Sequence, residues 1–157
     1  MKRTLVAAVV IMAAAGLSFA DGGADCATAP TINIPGDLPY VDSGTTCGKV
    51  DTYDDACGSS YGGGEDAMYL LNVTVPGSYA FALSGTATYT GFFVSDGCPD
   101  TTPACTGSAT SGGGDPSTVI TFPAAGTYYL QIDTWPSPDC TAFDLSIEEP
   151  FQFTYTI

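Results

Sequence analysis

Five acids stand close together between residues 51 and 66: Asp51, Asp54 and Asp55 in one run, then Glu65 and Asp66 after a glycine-rich stretch. Carboxylates clustered beside glycine-rich backbone are ligand types that calcium takes, because the ion wants six to eight oxygens and accepts backbone carbonyls among them. The spacing matches no defined calcium loop of the EF-hand kind. The same acids also read as turn caps and solubilising charge, which is the ordinary work of Asp in loops. Calcium is therefore the one cofactor the sequence offers, with turn capping as the competing reading.

Trp135 is the only tryptophan, and it comes after a predicted strand, just before Pro136 and Pro138. A ring exposed in such a turn can stack on a sugar or anchor a protein partner. Turned inward, it closes the end of a β-structure. Catalysis has fewer candidates. Nucleophilic chemistry needs a base beside a Ser or Cys, and the chain has no histidine. A lysine base would have to be Lys49, between Gly48 and Val50. A glycosidase needs a matched pair of carboxylates, and nothing in the sequence singles one out. The expectation is a protein that binds and does not catalyse.

Cys26, Cys47, Cys57, Cys98, Cys105 and Cys140 show neither the close paired spacings nor the histidines of a zinc site. They read as three disulfides, formed in an oxidising compartment. Six cysteines allow about 15 pairings. Pairing within single loops favours Cys47 with Cys57 and Cys98 with Cys105, which leaves Cys26 with Cys140 as a long clasp. Export is also written at the start of the chain. Lys2 and Arg3 precede an apolar run over Leu5 to Ala15, and Ser18-Phe19-Ala20 carries small residues where a signal peptidase reads. Residues 1–20 are expected to be a cleaved signal, the run being short of the ~20 apolar residues of a membrane span.

Residues 21–157 are expected to form a single domain of 137 residues with seventeen acids against one base, a formal net charge of −16. Such a surface repels nucleic acid and anionic membranes. Plentiful aromatic residues and scattered acids argue against disorder.

The elements that position these residues are strands. Apolar and β-branched runs alternate with Gly, Pro, Asp and Ser clusters, and no helical period appears. Strands are expected at Thr31 to Pro35, Tyr40 to Thr45, Ala67 to Val75, Ser78 to Ser84, Tyr89 to Ser95, Thr118 to Phe122, Thr127 to Asp133, Phe143 to Ile147 and Phe151 to Ile157. Pro76-Gly77 and Pro123 to Gly126 are expected to turn two hairpins, each with a tyrosine (Tyr79, Tyr128) early in the return arm. Ser59 to Gly64 and Ser108 to Asp115 read as exposed loops. About nine short strands without helices predict an all-β, antiparallel sandwich of jelly-roll type.

Several segments resemble bacterial pre-peptidase C-terminal domains. They are Asp25-Cys26-Ala27-Thr28-Ala29, Thr45-Thr46-Cys47-Gly48, Gly64-Glu65-Asp66-Ala67-Met68-Tyr69, Val94-Ser95-Asp96-Gly97-Cys98, Ala125 to Asp133 and Phe143 to Ile147, in that order. The resemblance implies an exported, non-catalytic jelly roll of a kind usually appended to secreted proteases or other surface enzymes. Some relatives bind calcium or extracellular polymers. The expected function is accordingly an accessory module that adheres to an extracellular protein or polysaccharide surface. The alternating Phe151-Gln152-Phe153-Thr154-Tyr155-Thr156-Ile157 extends past the family's last strand. It is expected to close the chain's own sandwich. The alternative is that it adds to a neighbour's sheet edge and builds an extracellular assembly.

Overall fold

A computed structural model describes residues 21–136 and 139–150. Residues 1–20, expected to be a cleaved signal, and the terminal Phe151 to Ile157 lie outside the described residues. Nine strands are present among those described: β1 (Thr31–Ile34), β2 (Tyr40–Thr45), β3 (Ala67–Val73), β4 (Gly77–Ser84), β5 (Thr90–Ser95), β6 (Cys105–Ser111), β7 (Ser117–Phe122), β8 (Gly126–Thr134) and β9 (Ala142–Glu148).

They form two sheets, one ordered β1-β3-β8-β5-β6 and the other β2-β9-β4-β7. Setting β1 aside, this 3-8-5-6 over 2-9-4-7 wiring is that of a jelly roll, as the strand pattern predicts. β1 adds a parallel edge beside β3. The core lies between the sheets, where alternate residues meet: Tyr79, Phe81 and Leu83 of β4 and Phe143, Leu145 and Ile147 of β9 face Tyr69 and Leu71 of β3 and Leu130 and Ile132 of β8.

The two expected hairpins are not hairpins. β3 pairs with β1 and β8, while β4 pairs with β7 and β9, so Pro76-Gly77 carries the chain from one sheet to the other. The turn at Pro123 to Gly126 does the same between β7 and β8. Each arm carries an apolar face, and placing the arms in opposite sheets buries both faces against each other. The shared pattern has a shared structural role: Tyr79 donates its hydroxyl to the Val75 carbonyl at 2.9 Å, and Tyr128 to that of Ala124 at 3.0 Å.

β6 is a strand the sequence did not show, and it occupies part of the segment read as a loop from Ser108. Its residues, Cys-Thr-Gly-Ser-Ala-Thr-Ser, offer no large apolar side chain, but as an edge strand it needs only the β5 ladder, paired from Thr90↔Ser111 to Ser95↔Cys105. Ser59 to Gly63 is loop, as expected, yet Gly64 is buried.

All six cysteines are in disulfides, but in none of the expected pairs. The bonds are Cys26–Cys98, Cys47–Cys140 and Cys57–Cys105. The register explains one of them: β2 and β9 pair through Thr45↔Ala142, Thr46 N–H then donates to the Thr141 carbonyl, and one step further Cys47 stands opposite Cys140. Cys57 reaches Cys105 because its loop lies along the outer face of the five-stranded sheet, with its sulfur against the Val94 and Gly107 carbonyls. Three bonds of this kind point to folding in an oxidising compartment.

Candidate binding surface

The outer face of the five-stranded sheet should carry the solvent-facing residues of each strand. Instead Met68, Phe93, Gln131 and Asp133 are buried there, and β5 is buried along its whole length. The loop between β2 and β3 covers them, fastened by Cys47–Cys140 and Cys57–Cys105. Its underside is polar. Asp66 Oδ2 accepts the Thr52 and Tyr53 N–H groups at 2.7 and 2.9 Å. Gln131 donates its amide nitrogen to the Tyr53 carbonyl at 3.0 Å, to Asp66 Oδ1 at 2.7 Å and to Asp133 Oδ2 at 3.2 Å. Asp133 Oδ1 takes the N–H of Gly64 at 2.9 Å and that of Thr134.

Both carboxyls are fully buried. Burial raises the pKa of each above the ordinary carboxylate range, and the Asp66 charge raises that of Asp133 further. The one base after residue 20, Lys49, lies elsewhere, with Nζ 3.6 Å from Asp21. Without a counter-charge the two acids cannot both ionise cheaply, so they share a proton. A raised carboxyl beside a second one is also the signature of a catalytic acid pair. This pair has no exposed surface with which to touch a substrate.

Three of the five predicted calcium ligands have other work, although Asp54 and Asp55 border one cleft. Asp51 and Asp54 are exposed. Asp55 shapes its own loop, accepting the N–H groups of Cys57 and Ser59 at 2.9 and 3.0 Å and the Ser59 hydroxyl at 2.9 Å. Glu65 accepts the Gly48 N–H at 2.7 Å. Asp66 is turned inward, toward Asp133, a residue that sequence reasoning missed. Among the described residues the only close group of three ligand-type side chains is Cys47, Glu65 and Cys140, and its two sulfurs are bonded to each other. The acids thus act mainly as the loop's own hydrogen-bond acceptors.

Above the covered face the loop ends beside Trp135. β5 and β8 pair through Thr90↔Thr134, and one step further Trp135 N–H donates to the Tyr89 carbonyl at 2.9 Å. On the other side of β5, Gly112 stands one step past Thr90↔Ser111. Trp135 and Tyr89 remain 44 % and 47 % exposed, whereas a ring closing the sandwich end would be covered. Tyr61, from the loop, meets Trp135 edge to face, with ring centres 6.1 Å apart and planes at 85°. Tyr61, Tyr89, Trp135 and Pro136 line an open cavity of about 400 Å³. Pro136 also borders the neighbouring cleft that holds Asp54 and Asp55.

Tyr89 has φ of 58°, in the left-handed region. An aromatic residue there costs about 1–2 kcal/mol, and such outliers concentrate at functional sites. Neither Tyr61 nor Tyr89 was legible as part of a site, since each becomes a neighbour of Trp135 only through the sheet register and the loop's path. No family model matches this chain, and no curated protein matches it either.

Proposed function

We propose that this chain is an exported, non-catalytic binding module that adheres to an extracellular surface through Tyr61, Tyr89 and Trp135. The observation that carries this reading is the grouping of three partly exposed rings on a fixed base, one of them on a strained backbone. Aromatic side chains lose little entropy on binding and offer large contact area, which is why they dominate binding hot spots. The base is rigid because two disulfides and the Asp66–Gln131–Asp133 cluster hold the loop onto the sheet. Export is supported by the basic head and apolar run at residues 1–20 and by the three disulfides. The absence of catalysis is supported by the lack of histidine, the commitment of every cysteine to a disulfide and the burial of the strongly perturbed Asp66–Asp133 pair. The resemblance to pre-peptidase C-terminal domains points the same way.

Co-sedimentation of the purified oxidised protein with peptidoglycan, chitin, cellulose and beads coated with a basic protein tests the proposal. Retention on at least one surface is expected, with loss of at least tenfold in Trp135→Ala. Tyr89→Asn should lose retention too while melting no lower than the parent, because asparagine tolerates the left-handed conformation. Retention unchanged by either substitution, or absent from all four surfaces, would reject it.

A further inference from the structure

The shape and charge of the aromatic surface identify the chemistry of its occupant. Tyr61 and Trp135 stand at 85° to one another, so they form two walls of a corner. A pyranose stacks with its flat face along one ring, and a perpendicular wall beside that ring obstructs a sugar chain running across it. A compact cation is suited to a corner, because ring faces attract positive charge and several can surround one ammonium or guanidinium.

Gly112, which is exposed, stands beside two of the three rings. A side-chain carbon added to Gly112 would lie 3.7 Å from the Tyr89 ring and 3.9 Å from the Tyr61 hydroxyl, in ordinary contact with both. A larger side chain at Gly112 would therefore reach both Tyr89 and Tyr61. Across Pro136 the adjoining cleft supplies Asp54 and Asp55. The only base after residue 20 is held at Asp21, so neither corner nor cleft offers positive charge to an anion. Seventeen acids against that one base also favour approach by a cation over long range.

We infer that the corner formed by Tyr61, Tyr89 and Trp135, with Gly112 at its side, binds the guanidinium or ammonium group of a basic extracellular protein segment, with Asp54 and Asp55 flanking it. This rests on the binding-surface reading above and names its ligand class.

Trp135 is the sole tryptophan, so its fluorescence reports the corner directly. The oxidised protein is titrated with N-acetyl-arginine amide, with tetramethylammonium and, in parallel, with cellotetraose. Both cations are expected to give saturable changes, and the neutral sugar none. Tyr61→Ala, and Gly112→Leu, which crowds Tyr61 and Tyr89 and keeps all three rings, should each weaken the arginine response at least tenfold without lowering Tm by more than a few degrees. Asp54→Asn should weaken it about threefold.

A cation response that survives both Tyr61→Ala and Gly112→Leu would be generic charge attraction and would overturn the inference. Saturation by cellotetraose and not by the cations would overturn it while leaving the aromatic surface as the binding face. No response to any probe would overturn the inference, and the retention assay on the four surfaces would then decide the binding-surface reading by itself.

Discussion

Asp66 and Asp133 accept hydrogen bonds from one and the same nitrogen, the side-chain amide of Gln131, at 2.7 and 3.2 Å. Two buried acids so placed, with no base beside them, make proton uptake part of the fold. Free in the unfolded chain, both titrate at about 4. In the fold burial raises both, and the Asp66 charge raises Asp133 further. The native state therefore keeps a proton that the unfolded chain has released. This contribution to stability is complete below about pH 4 and declines as pH rises toward the folded value. Tm should fall between pH 5 and pH 8. Asp133→Asn should flatten that slope and melt higher than the parent at pH 8, since its amide can donate to the ionised Asp66. Melting curves of the two proteins that run parallel across this range would contradict the shared proton.

The disulfides should rank as near equals. They span separations of 48, 72 and 93 residues, and loop-closure entropy grows only with the logarithm of length, giving about 4–5 kcal/mol each. Paired Cys→Ser replacements at each bond should lower stability by similar amounts in urea unfolding. A single dominant bond would show that native contacts, and not chain entropy, set the ranking.

Gly64 should not accept a side chain. A carbon added there would lie 2.1 Å from Thr134 Oγ1 and 2.6 Å from the Asp139 carbonyl, the latter being backbone that cannot swing aside. Gly64→Ala should cost on the order of 3 kcal/mol. Gly63→Ala, whose added carbon meets only the Pro136 ring at 3.2 Å, should cost much less. Equal melting of the two variants would mean that the loop relaxes freely over the sheet.

Calcium should have little effect on the fold, because the carboxylates of Asp55, Glu65 and Asp66 already accept N–H donors. Excess EDTA should shift Tm by less than about 1 °C, and so should millimolar calcium. A rise of several degrees with calcium would show that the exposed Asp51 and Asp54 recruit a ligand set.

The strands were legible because their alternation is strong: Tyr79, Phe81 and Leu83 mark an inward face without ambiguity. Their partners were not. A Pro-Gly turn between two apolar arms looks the same whether the arms pair or part, and here they part. β6 was hidden by its small polar residues, which an edge strand tolerates. Cysteine pairing depends on the register of β2 and β9 and on the path of a loop over a sheet, neither of which is local in sequence. The site failed to show for a related reason. Gln131 and Asp133 alternate with Leu130 and Ile132 as solvent-facing residues would, and only the disulfide-fastened loop makes them interior. Trp135 could be named in advance. Its neighbours Tyr61 and Tyr89 lie 74 and 46 positions away in sequence.

If the working surface lies at Tyr61, Tyr89 and Trp135, a ligand must perturb those residues before any others. An amide-resolved NMR titration of the oxidised protein with N-acetyl-arginine amide and, separately, with chitotetraose reads this out residue by residue, since Trp135 contributes the chain's single indole N–H signal. The indole signal and the amides of Tyr61, Gly62, Gly112 and Trp135 should move first with whichever probe binds. Shifts confined to the outer face of the four-stranded sheet, around Val41 and Val119, or no shifts with either probe, would contradict that placement.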